Sequence, residues 1–150
     1  MRRINIIYAG RMKEEYYRQA AAEYIKRLSA DFKIEHTEIK EEHSLKKEAD
    51  NILLKLQKLG KTYKIALDRE GMRMSSEKFA GLLYGEPAVS AQPLVFIIGS
   101  SHGLAENIKQ AADLRLSFSD LTFPHSLFRV MLLEQIYRAY TIENNKSYHK

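Results

Sequence analysis

Two loops of this sequence combine residue types and spacings that could do chemistry. The first, Ile97–Leu104, contains Gly99, Ser100 and Gly103 and follows the most hydrophobic stretch of the chain. Glycines at such a junction let the backbone approach a ligand closely and leave N–H groups available as donors. The spacing is not the G-x-G-x-x-G pattern of dinucleotide sites. The loop is therefore either a site for another small molecule or a plain turn between a strand and a helix.

The second loop, Leu116–His125, follows a short predicted strand and leads into the last predicted helix. It places apolar side chains that could enclose a flat ring beside hydroxyls and backbone that could bind the edge of that ring. Pro124 suits the first turn of a helix. From its residues alone, a packed connection that caps the helix is the simpler interpretation.

Titratable side chains near the end of the chain are the third group of candidates. Glu134 and Arg138 lie four residues apart on the last predicted helix, where they can form an ion pair. The chain ends in Tyr148-His149-Lys150, within a polar tail of a kind that usually frays. The histidines show no metal-ligand spacing, so we expect no metal site. They are His36, His43, His102, His125 and His149.

These segments are connected by strands and helices that alternate along the chain. The predicted strands are Ile4–Tyr8, Lys33–Ile39, Tyr63–Leu67, Leu94–Ile98 and Leu114–Ser117. Apolar residues at helical spacing predict helices over about 12–28, 43–59 and 124–140, with another beginning near Ser75. This alternation predicts an α/β fold with a mostly parallel sheet and helices on both faces.

The pattern within single elements refines that arrangement. Leu94–Ile98 has no polar alternation, so it should lie at the centre of the sheet, while Lys33–Ile39 should lie near an edge. Gly60 stands where a helix C-cap belongs, and Ser75 suits a helix N-cap. Tyr16 should share the buried face of the first helix. The stretch 85–93 is polar and contains prolines, so it is predicted to be a link.

The last predicted helix, 124–140, is apolar on nearly every side. A helix at the surface of a small protein normally keeps one polar face. A helix that is apolar all round must be covered on both sides, so part of it should contact a second subunit. The sequence therefore predicts a homodimer.

Composition limits the remaining classes of protein. The 150 residues, 45% of them hydrophobic, predict one folded domain over 1–150. No apolar run approaches the length of a membrane helix and no signal peptide is recognisable, so we expect a cytoplasmic protein. With no cysteine, disulfides and thiolate zinc sites are excluded. The net charge of +5 suits a polyanionic partner such as RNA without requiring one.

Several short motifs, each weak alone, occur together in this chain. They are Phe96–Gly99, Gly103-Leu104, Leu116–Ser119, Leu121–His125, Arg129, Glu134–Ala139 and Tyr148-His149-Lys150. In combination they closely resemble the ribosomal RNA large subunit methyltransferase H family, a minimal group of the SPOUT (trefoil-knotted) methyltransferases. The resemblance extends from Gly10 to the last residue.

The resemblance implies an enzyme that transfers a methyl group from S-adenosylmethionine to N3 of a pseudouridine in large-subunit (23S) ribosomal RNA, on the assembled ribosome. It also implies a carboxyl-terminal trefoil knot. By position, the family's cofactor contacts fall on Leu67, Gly99, Phe118, Ser119, Asp120, Leu121, Thr122 and Phe123. The chain departs from the family pattern at Ser100, where many relatives have a second glycine, and at Met72, where they often have lysine.

The reaction that the resemblance implies requires the removal of one proton. The imide nitrogen of pseudouridine must lose its proton before it can attack the methyl group, and Arg138, His149 and Glu134 are candidates to assist. We expect Arg138 to lower the cost of the imide anion, with Tyr148 and His149 closing over the base. Direct proton transfer to His149 is the alternative.

Two other functions are compatible with the same sequence. One is a ribosome-binding module that keeps the fold without the chemistry, although the intact glycine and Phe118–Phe123 loops argue against it. The other is a SPOUT enzyme that methylates transfer RNA. Such relatives usually carry a longer chain or an extra RNA-binding domain, and this chain is minimal.

Overall fold

The computed structural model describes all 150 residues and contains a five-stranded sheet in which every strand pair is parallel. The strands are β1 (Arg2–Ala9), β2 (Phe32–Ile39), β3 (Tyr63–Arg73), β4 (Leu94–Ile98) and β5 (Leu114–Ser117), in the order β2-β1-β4-β3-β5. The helices are α1 (Glu15–Leu28), α2 (Leu45–Leu59), α3 (Ser76–Gly85), α4 (Pro87–Ser90), α5 (Glu106–Ala111) and α6 (His125–Glu143). The predicted α/β class with a parallel sheet is confirmed.

Helices cover both faces of this sheet. On one face α1, α3 and α6 pack over the larger hydrophobic core, and on the other α2 and α5 pack over a smaller one. The central strand β4 contributes side chains to both cores, and all five of its residues are buried. Its predicted central position is confirmed, as is the predicted edge position of β2. Because all strands are parallel, their carboxyl ends lie at one edge of the sheet.

Strand β3 is longer than the sequence predicted and is interrupted. Leu67 and Met72 both stand in register with Leu116 of β5, so residues 68–71 leave the sheet and the strand then returns. Gly71 permits this return because a Cβ there would lie 2.6 Å from the carbonyl of Arg115. Residues 68–71 show no strand-like alternation of apolar side chains, so the sequence pattern predicted that the strand ends at Leu67.

The helix ends follow local sequence signals. Ser75 accepts a hydrogen bond from the backbone N–H of Lys78 at 3.2 Å, and Gly60 adopts a φ of 71° after α2. The first helix begins three residues later than predicted, and Tyr16 is 65% exposed, which corrects its expected burial. Its ring packs edge-on against Tyr17 in place of the core.

Two other segments differ in detail from their predictions. The stretch predicted as a link contains the short helix α4, which starts at Pro87, a residue suited to the first helical turn. The last helix continues to Glu143 and packs against both α1 and α3. No helix has the length and hydropathy needed to span a bilayer.

Candidate active site

A cleft of about 270 Å³ lies at the carboxyl edge of the sheet, between the 68–71 excursion of β3 and the loops that follow β4 and β5. Parallel α/β sheets bind ligands in this position because strand ends and helix starts leave backbone groups unpaired there. Of the eight residues predicted to contact a cofactor, all but Asp120 line this cleft. They are Leu67, Gly99, Phe118, Ser119, Leu121, Thr122 and Phe123.

The glycine loop forms one wall of this cleft. Gly103 has a φ of 77°, and its N–H donates to the carbonyl of Ser100 at 2.9 Å, which closes a tight turn. A Cβ on Gly99 would lie 2.5 Å from the carbonyl carbon of Gly103, so only glycine fits. Ser100 is buried, and its hydroxyl accepts from the N–H of His102. The loop is therefore a compact turn with glycine at both ends.

The loop between β5 and α6 forms the opposite wall. The hydroxyl of Ser117 donates to the carbonyl of Ser119 at 3.2 Å, and the hydroxyl of Ser119 accepts from the N–H of Leu121 at 3.0 Å. These bonds fold the loop on itself, while the backbone of residues 119–123 makes no hydrogen bond with other backbone. That segment can therefore offer N–H and C=O groups to a ligand in the cleft.

Aromatic side chains make the same wall apolar. The rings of Phe118 and Phe123 both pack against Phe128 of α6, with centroids 4.9 Å and 6.0 Å away. The Phe123–Phe128 pair is stacked, and both rings line the cleft. A flat ligand ring could extend this stack, because aromatic surfaces favour offset stacking.

Asp68 fixes the third loop, which follows Leu67. Its carboxylate, 7% exposed, accepts hydrogen bonds from Nε and Nη2 of Arg115 at 2.8 Å and 2.5 Å. Lys109 lies 3.8 Å away, and the N–H of Glu70 donates at 3.1 Å. Burial acts to raise the pKa of Asp68, but these donors and cations outweigh it and lower the pKa below its ordinary value.

Asp120 points away from the cleft. It is exposed and forms an ion pair with Arg73 of β3. With that arginine it lines a separate polar cavity of about 360 Å³, which also includes Arg69, Glu70 and Gly71. The structure thus separates Asp120 from the other predicted cofactor residues.

The four predicted catalytic residues form a single connected cluster. Arg138 donates from Nε and Nη2 to Glu134 Oε1, at 3.0 Å and 2.5 Å, and its Nη1 lies 3.0 Å from Nδ1 of His149. Tyr148 donates its hydroxyl to the same Glu134 oxygen at 3.1 Å. Glu77 of α3 completes the cluster, with Oε1 2.8 Å from Nε2 of His149. The tail is therefore docked against α6 and α3, and we call these five side chains the tail cluster.

These contacts assign the protons of the His149 ring. The guanidinium of Arg138 can only donate, so Nδ1 of His149 must accept and carry no proton. The ring proton then sits on Nε2, which donates to Glu77. Glu134 raises the pKa of Arg138, and the hydrogen bond from His149 lowers the pKa of Glu77, so both groups stay charged on either side of a neutral imidazole.

Tyr148 is held by its ring as well as its hydroxyl. The ring packs edge-on against Tyr137 at 4.8 Å between centroids, and the Arg138 guanidinium carbon lies 5.0 Å from its centroid. Burial, the larger cause, and the contact with Glu134 raise the pKa of Tyr148, so the phenol stays protonated. It can therefore act as a fixed donor and as a flat surface.

A larger cleft of about 520 Å³ connects the two regions. It shares Leu116 and Phe118 with the smaller cleft and reaches Glu134 at its other end. Ser75 and Ser76, at the start of α3, contribute hydroxyls to its rim. A flat group lying in this cleft would contact the smaller cleft through Phe118 and the tail cluster through Glu134.

Sequence reasoning missed some of the residues that build these regions. Glu77 lies in the first turn of the helix predicted to begin near Ser75, and nothing in the sequence pattern places it beside the tail. The same holds for Gln135, which donates to Glu134 and accepts from Ser76. Asp68 and Arg115, which pair across two strands, carry no signal in their spacing. Their pairing depends on strand order, which one sequence does not reveal. No group of three or more His, Asp or Glu side chains is close enough to hold a metal ion.

Comparison with known proteins identifies relatives along the whole chain. The family model described as "Predicted SPOUT methyltransferase" matches residues 2–149. The ribosomal RNA large subunit methyltransferase H proteins of Caldicellulosiruptor saccharolyticus and Caldicellulosiruptor bescii are 47% and 49% identical to this chain. Each alignment covers 98% of this chain and 99% of the relative.

Solved structures with low sequence identity share the fold. The "probable methylase family protein" of Haemophilus influenzae Rd KW20 has a TM-score of 0.58 at 13% identity, over 99% of this chain and 70% of its own. The TrmH/SpoU tRNA modifying enzyme of A. aeolicus has a TM-score of 0.50 at 12% identity, over 93% and 77%. Each of these two has the same overall arrangement of strands and helices.

Proposed function

The chain belongs to the SPOUT methyltransferase family, within its ribosomal RNA large subunit methyltransferase H group, and from this premise we propose its reaction. It transfers a methyl group from S-adenosylmethionine to N3 of a pseudouridine in 23S ribosomal RNA, on the assembled ribosome, in the cytoplasm. The proposal includes one domain over 1–150, a homodimer, and the trefoil knot that the family resemblance implies.

The observation that carries this proposal is the cleft between the glycine loop and the Phe118–Phe123 loop. Seven predicted cofactor residues from three separate segments converge there. The tail cluster, which holds the predicted catalytic residues, lies at the far end of the adjoining larger cleft. A methyltransferase needs this arrangement of a cofactor site beside a site for the accepting base, because alignment of the two supplies much of the rate.

The residues of the smaller cleft suit S-adenosylmethionine in their chemistry. The volume of this cleft, about 270 Å³, is just below the roughly 300–1,000 Å³ of small-ligand sites, and the adjoining larger cleft extends it. Phe123 and Leu121 offer apolar surface to an adenine ring. The backbone of 119–123, apart from the Ser119 carbonyl and the Leu121 N–H that bind side chains, offers donors and acceptors to its edge. Gly99 and Ser100 would bring further backbone close to the ligand. When bound, this group supplies a methyl on a sulfonium, which a nucleophile displaces directly.

Arg138 is proposed to stabilise the imide anion of the target base. A guanidinium has five N–H donors. Glu134 and His149 accept three of them, so two remain for a negatively charged oxygen or nitrogen of the base. Fixed donors of this kind lower the energy of a charge that forms during reaction. Glu134 and the docked tail hold the guanidinium in one orientation while it does so.

His149 is proposed to position Arg138 and not to take the proton. Its Nδ1 already accepts from Arg138 and its Nε2 proton already faces Glu77. To act as a base it would have to leave Arg138 and then carry a positive charge beside that guanidinium, which like-charge repulsion disfavours. The imide proton therefore passes to solvent, while Tyr148 covers the base.

The homodimer is proposed from the surface of α6. Phe128, Met131 and Tyr137 are only partly covered by the rest of the chain. A second copy over this face would remove apolar surface from water and double the surface available for RNA. Sedimentation at micromolar concentration should show a dimer. A monomer under these conditions would contradict this part of the proposal.

Methyl transfer to whole ribosomes from a strain that lacks the gene tests the reaction. Nucleoside mass spectrometry should detect a methylated pseudouridine in 23S RNA only when the protein and S-adenosylmethionine are both present. Transfer RNA from the same strain serves as the competing substrate. Methylation of transfer RNA but not ribosomes would replace the proposed substrate, and cofactor binding without any transfer would favour a ribosome-binding module.

A further inference from the structure

Arg129 of α6 is a buried cation with no acidic partner. It is the largest fully buried side chain in the molecule and is 1% exposed. Its Nη2 donates to the hydroxyl of Ser126 at 3.3 Å, and its guanidinium carbon lies 3.6 Å from the ring centroid of Tyr8. Nε and Nη1 have no hydrogen-bond partner. Buried charged donors are normally paired because an unpaired one is costly, so this site lacks an acceptor.

The guanidinium lies at a cleft of about 350 Å³ between α1, α6 and the carboxyl ends of β1 and β2. Arg11 and Arg18 also line this cleft, and we call it the arginine cleft. Arg11 is 81% exposed and only 3.9 Å from Glu38, the one acidic residue in the lining. Arg18 pairs with Glu15 on the outer surface of α1. Three arginines thus face one carboxylate in the lining.

The arginine cleft lies at the same edge of the sheet as the smaller cleft of about 270 Å³, which we call the cofactor cleft. His125 and Phe128 of α6 line the cofactor cleft, and Arg129, the next residue, lines the arginine cleft. Between them is a groove that Arg11 and His125 line together with Lys13, the exposed Tyr16, the partly exposed Tyr17 and two carboxylates, Glu14 and Glu41. Exposed aromatic rings beside cations are suited to single-stranded nucleic acid, because bases stack on them.

We propose that the arginine cleft binds a phosphodiester group of the RNA substrate, which positions the strand while its target base is methylated. This inference rests on the proposed function, since it assigns a second contact to the same substrate. A guanidinium matches the geometry of a phosphate better than an ammonium does, and burial strengthens its charge-assisted hydrogen bonds. Nε and Nη1 of Arg129 are covered in the free protein, so the phosphate supplies the missing acceptor when the side chains that cover them move aside.

The test compares Arg129→Met, Arg129→Lys and Arg18→Gln with the wild-type protein, using ribosomes from a strain that lacks the gene. Lys58→Gln is the matched control, because it removes one exposed positive charge at the carboxyl end of α2, at the opposite edge of the sheet. We expect Arg129→Met and Arg18→Gln to weaken ribosome binding about tenfold and to reduce the slope of log K against log salt by about 1. Lys58→Gln should change neither, and Arg129→Lys should recover only part of the loss.

Stability and cofactor binding separate this role from a structural one. Arg129→Met removes a buried charge that has no ion-pair partner, so its melting temperature should equal or exceed that of the wild type. Its affinity for S-adenosylmethionine should be unchanged. A lower melting temperature with unchanged ribosome affinity would mean that Arg129 only packs against Tyr8, and would overturn the proposal.

Other outcomes would show that the cleft binds a free anion or a second copy of the chain, or that the proposed function itself is wrong. Inorganic phosphate at constant ionic strength is the free-anion probe. One such outcome is that phosphate raises the melting temperature of the wild type but not that of Arg129→Met, while both proteins bind ribosomes equally well. That result would assign the cleft to a free anion and overturn the RNA proposal. A changed sedimentation coefficient in place of weaker ribosome binding would assign it to a contact between copies. If the wild type methylates no ribosomal RNA, both this inference and the proposed function fail; if it does and the variants bind ribosomes normally, only this inference fails.

Discussion

The proposed cofactor cleft and the tail cluster are built in different ways, although both lie along α6. The cleft is made of loops and their aromatic side chains, and each loop is shaped by residues close together in sequence, such as Gly99 and Gly103. The tail cluster is a network of polar side chains that joins residues 134–149 to Glu77, 72 positions before His149. The first should therefore fail through steric change within a loop, and the second through loss of charge or of a docked segment.

The largest effect on cofactor binding is expected from Gly99→Ala. The new Cβ would lie 2.5 Å from the carbonyl carbon of Gly103, so the turn must open and the cleft wall must move. Such strain typically costs about 1–3 kcal/mol, and we expect affinity for S-adenosylmethionine to fall by more than tenfold. Titration calorimetry measures the loss.

Gly81→Ala is the matched control for that change. Gly81 lies within α3 and a Cβ there would meet nothing within 4 Å. Alanine is the better helix former, so this variant should bind the cofactor normally and melt at an equal or higher temperature. Normal cofactor affinity in a folded Gly99→Ala protein would contradict the assignment of the glycine loop.

Arg138→Ala should have the largest effect on the rate of transfer and should leave cofactor affinity unchanged. Loss of a donor that stabilises a developing anion typically slows reaction on the order of 10²–10³-fold. Single-turnover transfer should therefore fall at neutral pH and recover partly at alkaline pH, where the imide ionises unaided.

His149→Ala distinguishes the two roles open to that residue. As a positioning residue for Arg138, its removal should slow transfer less than Arg138→Ala and keep the shape of the pH–rate profile. If the rising limb of the profile disappeared and alkaline pH gave no rescue, His149 would be the base and the proposed assignment would be wrong.

Deletion of Ser147–Lys150 should slow transfer on the order of a hundredfold, since misalignment by about an ångström has that cost. Tyr148 is only half-buried, so the fold and the cofactor affinity should survive the deletion. Calorimetry and single-turnover transfer on the same preparation compare the two regions directly. Unchanged turnover would show that the docked tail takes no part in the reaction.

The smallest effect concerns Asp68, the side chain that fixes a loop of the cofactor cleft. Because its pKa is below the ordinary value of 3.8 in the folded protein, its charge stabilises the fold above that pH. This stabilisation is lost as the pH falls through the folded-state pKa. Asp68→Asn should lower the free energy of unfolding by about 1–2 kcal/mol at pH 7.

The pH dependence of that difference supplies its check. Denaturant unfolding of both proteins from pH 7 to pH 3 should show the difference constant down to about pH 4 and shrinking below it. A difference that persisted at low pH would mean that the loop depends on the shape of the side chain and not on its charge.

Sequence patterns predicted the sheet and the turn between Gly99 and Gly103 better than the contacts of the tail cluster. The uninterrupted apolar run of β4 marked the sheet centre, and Gly99 and Gly103 marked a turn, because both signals are local. The pairing of Asp68 with Arg115 and of Glu77 with His149 depends on which strands and helices are neighbours. No local pattern records that order, and a polar tail such as 147–150 carries no sign of the side chains that hold it.

Helix α6 sets the distance between the proposed cofactor cleft and the tail cluster. His125 lines one cleft and Arg138 holds the tail, so at about 1.5 Å per residue the helix sets a separation of about 20 Å between them. One inserted or deleted residue between His125 and Glu134 would rotate everything beyond it by about 100°, turn Glu134 away from the larger cleft and separate the tail that Arg138 holds from Glu77. Even a single alanine insertion within α6 would therefore separate two otherwise intact sites.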